Sequence, residues 1–143
     1  MNKGELLTQV DKLQQSSRLN LNMPSFSEFL QKNINGDNLI DGLALNALLS
    51  KDRNGLLVYL LTTTKIIKIE IDKQGFQAFS NYLSQVIGIN RGIISKPDGG
   101  NNSQITVELT QGSFGLRYSQ DDKEIDSFFL KVEEQLRKIK VPS

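Results

Sequence analysis

The chain has no histidine, no cysteine and no tryptophan in 143 residues. Each absence removes a class of chemistry. Without His or Cys there is no Ser-His or Cys-His nucleophile, no ordinary zinc site, no haem or iron–sulfur ligation and no disulfide. Any catalysis would have to run on Asp, Glu, Lys, Tyr or Ser. A charge imbalance is missing as well. The 17 Lys and Arg stand against 16 Asp and Glu, divided 8 to 7 over residues 1–71 and 9 to 9 over 72–143. Nucleic-acid readers concentrate basic side chains in a stripe, because phosphate neutralisation supplies most of their affinity. No such stripe is visible, so nucleic acid is not an expected partner.

Long apolar runs are also lacking. The longest, Leu56 to Leu61, has six residues, against roughly 20 needed to span a bilayer. Met1-Asn2-Lys3-Gly4 leads into a mixed stretch rather than an apolar leader, and with no cysteine this reads as a soluble, cytoplasmic protein.

What is present changes character once, near residue 50. Before it the period is helical. Leu6, Leu7, Val10 and Leu13 share a helix face. Ser25 and Glu28 fit a capping box, after which Phe26, Phe29, Leu30 and Ile34 form a stripe that Asn35-Gly36 ends. Leu39, Ile40, Leu43, Ala47 and Leu48 predict a third short helix containing Gly42.

From Gly55 the period becomes two. Leu57 to Leu61 reads as a strand buried on both faces, and Ile67, Ile69 and Ile71 as its hairpin partner with one wet face. Asp72 to Gly75 is a turn, and Phe76 to Phe79 begins a further strand. Tyr82 to Ile94 fits either strand or short helix. Lys96 to Ser103 is a polar loop. Ile105, Val107 and Leu109, then Phe114, Leu116 and Tyr118, give a second hairpin across Gln111-Gly112-Ser113. Asp121 and Glu124 start a helix over about 122–138, with Ile125, Phe128, Phe129, Val132, Leu136 and Ile139 as its stripe.

The expected fold is therefore α+β: a helical segment over residues 1–50, then an antiparallel domain over 51–143 that ends in an amphipathic helix. The motif order resembles the bacterial pleckstrin-homology-like domains. The resemblance rests on Leu61-Thr62-Thr63-Thr64-Lys65-Ile66-Ile67-Lys68-Ile69, on Phe79 to Ile89, on Ile105 to Leu109, and on Asp126-Ser127-Phe128-Phe129 in the closing helix. It covers about two-thirds of the chain. What it implies is a curved half-barrel capped by the helix, acting as a non-enzymatic binding or scaffold module that often self-associates. Lipid binding in the wider fold depends on a basic first hairpin. Here that hairpin offers only Lys65, Lys68 and Arg53, so membrane lipid is not expected. A secretion- or assembly-chaperone-like α+β protein is the alternative, and it requires a helix over 76–87. A carboxylate-based enzyme is a distant third.

The candidate partner-binding residues are Arg91, Lys65, Lys68, Phe26 and Phe29. Arg91 stands between the turn formers Asn90 and Gly92 and suits a polar anchor, since Arg binds carboxylate or phosphate bidentately. Phe26 and Phe29 either pack on the sheet or offer their stripe to a protein partner, a second copy included. Asp37 and Asp41, four apart on the predicted helix, fit a helix start better than a divalent cation site. Asp121, Asp122, Glu124 and Asp126 complement a helix dipole. Asp98 to Asn102 has too few carboxylates for a calcium loop. Tyr59, Tyr82 and Tyr118 read as core-lining, with no activating neighbour. No cofactor or metal is expected.

Overall fold

The computed structural model describes residues 2–34, 39–50, 52–95, 97–119 and 122–140. Two compact units divide the chain, Met1–Ser80 and Asn81–Ser143. The element order is α1 (Lys3–Ser16), α2 (Met23–Asn33), β1 (Leu39–Ser50), β2 (Arg53–Thr62), β3 (Lys65–Asp72), β4 (Gly75–Tyr82), a 3-10 turn at Leu83–Gln85, β5 (Val86–Ser95), β6 (Asn101–Leu109), β7 (Gly112–Ser119) and α3 (Lys123–Lys140). Strands β1 to β4 form one antiparallel sheet in sequence order, and β5 to β7 a second. The fold is thus α+β, and neither sheet is a closed barrel. No helix among the described residues is long and apolar enough to cross a membrane.

In the first unit, α1 starts where the Asn2 carboxamide accepts from the Glu5 N–H at 2.8 Å. The cap of α2 is Asn22 rather than Ser25. Its side chain accepts from the Ser25 N–H at 3.0 Å, and Pro24, lacking an N–H, falls in the first turn where none is needed. Both helices lie against one sheet face. Leu56, Val58 and Leu60 of β2 stand opposite Ile71, Ile69 and Ile67 of β3. These six join Ala44, Leu6, Val10, Leu19, Leu21, Phe26, Leu30 and Ile34 in a buried core. Each large aliphatic side chain there gains about 1.5–3 kcal/mol on leaving water. Leu57, Tyr59 and Leu61, on the other side of β2, are buried too, as the uninterrupted apolar run predicts.

The segment expected as a third helix is strand β1. It pairs with β2 from Leu39 opposite Thr62 to Ser50 opposite Arg53, so the expected boundary at residue 50 falls inside a hairpin. Gly42 explains part of this outcome. A Cβ there would sit 3.1 Å from Leu6 Cδ1, so the glycine lets α1 rest closely on β1. The three threonines form the β2–β3 turn: the Thr62 hydroxyl accepts from the Lys65 N–H at 2.9 Å and the Thr64 N–H at 3.3 Å. Gly75 follows the next turn at φ 137°, a conformation open to glycine.

Residues 75–82 are strand, without the helix that the chaperone-like alternative requires, and the ambiguous stretch from Tyr82 to Ile94 holds the 3-10 turn Leu83–Gln85 and then strand β5. In the second unit the polar loop is a hairpin end, with Ser95 opposite Asn101. Ile105 and Val107 of β6 are buried, as are Ile125, Phe128, Phe129, Val132 and Leu136 of α3. Ile139, the last member of the expected stripe, is exposed. Asp122 caps α3, accepting from the Ile125 N–H at 3.2 Å. Asp121 and the Asn35-Gly36 stop lie outside the described residues.

Candidate functional site

Arg91 sits in β5, in a strand rather than the turn its neighbours suggest. It stands opposite Ile105, which in turn stands opposite Leu116, while Tyr118 stands opposite Ser103 one rung along. The alternation of a strand therefore gives Arg91 and Tyr118 the same sheet face, the one to which α3 brings its acids. Arg91 Nε donates to Glu133 Oε1 at 2.8 Å, and Nη2 meets the same oxygen at 2.7 Å. Nη1 lies 3.5 Å from Asp126 Oδ1, and the Tyr118 hydroxyl donates to that carboxylate.

Burial alone would lower the Arg91 pKa, but the Glu133 hydrogen bond and charge outweigh it and raise the net value. Burial pushes Tyr118 up to about 12, and Asp126 adds to the shift against smaller opposing effects of Arg91 and the Ser103 hydroxyl. Arg91 thus spends its donors on two carboxylates of its own chain, and Tyr118 keeps its proton at neutral pH. The group is a clasp between β5 and α3. Arg91, Gly92, Ile93, Ser103, Gln104, Tyr118 and Asp126 line a cavity of ≈ 320 Å³ around it.

The other sequence candidates lie elsewhere. Phe26 is fully buried, its ring edge-on to Phe76 at 5.3 Å, and half-buried Phe29 meets the same ring at 5.3 Å. The α2 stripe is therefore used inside the first unit. Lys65 and Lys68 are three positions apart on β3, which places them on opposite sheet faces. Arg53 is held by Asp72, with Nε at 3.0 Å and Nη2 at 2.8 Å from Oδ2. The Gln74 N–H on Oδ1, more than Arg53, draws the Asp72 pKa down. That pair lines a polar cavity of ≈ 470 Å³ with Asp52, Asn54, Lys73, Gln74 and Gln77. Asp41 is a buried strand residue, and Asp37 lies outside the described residues.

Sequence reasoning missed the exposed large apolar side chains of β4 and β5. Ile87 is 60% exposed and Ile93 67%, both on β5, while Phe79 and Tyr82 on β4 are exposed at 46% and 55%. Tyr82 is accordingly not core-lining. The alternation of Ile87, Ile89, Arg91 and Ile93 was the available signal, since period two marks a strand with two distinct faces. No protein-family model, curated protein or solved structure matches the chain.

Proposed function

We propose that the chain is a non-enzymatic protein-binding or assembly module of pleckstrin-homology-like type, which engages its partner through sheet edges. The observation that carries this reading is the set of exposed large apolar side chains on two successive edge strands, Phe79 and Tyr82 on β4 and Ile87 and Ile93 on β5. Edge strands template further pairing unless Lys, Pro or a covering element blocks them. Neither strand contains Lys or Pro.

The pleckstrin-homology-like part draws support from the antiparallel meander that ends in an amphipathic helix, and from the Leu61–Ile69 motif falling on the β2–β3 hairpin. The non-enzymatic part draws support from the acids. Asp122 caps a helix, Asp72 holds Arg53, and Asp126 and Glu133 hold Arg91. Lys65 and Lys68, on opposite faces, form no common anionic-lipid patch.

Light scattering on the purified full chain, over a range of concentrations and with co-purifying proteins quantified, tests the proposal. The reading expects either a mass that is a multiple of 16.0 kDa or a second protein held at fixed stoichiometry. A monomer that carries no stoichiometric protein overturns it.

A further inference from the structure

We infer that β5 is a homotypic seam: two copies of the chain pair their β5 strands antiparallel about a two-fold axis at Asn90, joining two three-stranded sheets into one of six strands. This rests on the assembly reading above and names its surface and its partner.

The edge comes first. β5 is ten residues long, bonded to β6 on one side, with no strand on the other among the described residues. Asn90, Arg91, Gly92, Ile93 and Ser95 are exposed. Such an edge accepts another extended chain through its backbone groups.

A glycine of β5 supplies a separate indication. Gly88 and Gly92 have no positive φ, and a Cβ at either would meet nothing within 4 Å. Gly88 falls at the register slip between Val86 and Gly88, a place strand glycines often mark, but Gly92 has no such local reason, and a glycine inside a strand weakens it. Strand glycines with no local reason mark places where another backbone comes close.

The sequence of β5 then selects the partner. Counted outward from Asn90, Gly88 matches Gly92, Ile87 matches Ile93, and Val86 matches Ile94. A two-fold axis at Asn90 makes each of these a facing pair, as an isologous interface requires, with residue i on j and j on i. The charge also fits. Arg91 is the one charged residue of β5 and is already neutralised by Glu133 and Asp126 of its own chain. It would face Ile89 of the second copy along its aliphatic stem. No unbalanced charge meets at the axis.

The absence of native cysteine makes the test clean. In antiparallel pairs, facing Cα atoms lie about 4.5–5.5 Å apart, inside the disulfide range of roughly 4.4–6.8 Å. Asn90→Cys should therefore oxidise to a covalent dimer at low protein concentration, while Thr106→Cys, on the inner strand β6, should stay monomeric. Ile93→Lys, at an exposed position, should weaken the native dimer roughly tenfold or more with secondary structure intact. Asn90→Cys linking no faster than Thr106→Cys, or Ile93→Lys leaving the dimer unchanged, overturns the seam. If the chain still assembles, or holds another protein stoichiometrically, the broader reading survives that failure. A monomer without any bound protein removes both.

Discussion

At the scale of single residues, the polar clasp shows how much depends on partners far away in sequence. Arg91 is conspicuous between Asn90 and Gly92, but the carboxylate that fixes it is 42 positions on. No local pattern announces that pairing, so the residue was legible and its role was not. Tyr118 is the sharper case, a core-lining tyrosine by position whose hydroxyl nevertheless reaches Asp126. Its pKa of about 12 lies above the usual tyrosine value of about 10. The protonated form therefore stabilises the folded state fully below pH 10 or so, and that contribution fades as pH climbs towards 12. Ultraviolet titration of the phenolates should show Tyr118 ionising well above the usual tyrosine value. Tyr118→Phe should remove that late step and cost about 1.5 kcal/mol in denaturant unfolding, the low end for a bond to a charged group because water can reach the freed carboxylate. Gly55 makes a harsher demand. An added Cβ would fall on the Ile71 carbonyl oxygen, deep inside van der Waals contact. Backbone cannot yield there without opening the β2–β3 ladder, so Gly55→Ala should destabilise by about 3 kcal/mol or more in the same assay.

At the scale of elements, the helices and hairpins whose periodicity is unambiguous were readable directly. The α3 stripe from Ile125 to Leu136 is buried as its spacing predicts. The β6–β7 hairpin turns at Gly112 with φ 127°, where a glycine was in place. β1 was not readable. Leu39, Ile40, Leu43, Ala47 and Leu48 recur at helical spacing, yet a short apolar run fits strand and helix alike. The decision came from the partner, since β2 offers a long apolar ladder and pairing overrides local propensity. Caps were misplaced by one or a few residues for a related reason: several Asx and Ser residues crowd each start, and only geometry shows which oxygen faces the open N–H groups. Asp122→Ala should accordingly cost about 1 kcal/mol of thermal stability. Glu124→Ala, without that hydrogen bond, should lose only the few tenths that a helix-dipole contact provides.

At the scale of the whole molecule, the missing histidine and cysteine return as a property of the folded chain. Between the carboxylate range and about pH 7 no side chain of ordinary pKa changes charge, so unfolding free energy should stay flat across that window. Below it the direction is fixed by Asp72, whose folded pKa is lowered. A group of that kind stabilises the fold above its unfolded pKa near 3.9 and loses the contribution as pH falls through the lower folded value. Hydrogen exchange can therefore be read over neutral pH without a titration confusing it. Amides of β2 and β3, in the strands buried most completely, should exchange slowest. Those of β5, in an exposed edge strand, should exchange quickly in dilute protein. If β5 meets a second copy at Asn90, alternate amides of that strand should gain protection as concentration rises, while β4, exposed in the same way, should not change. A uniform gain in both strands would mean general association instead of a seam, and no gain in either would leave β5 without a partner of its own kind.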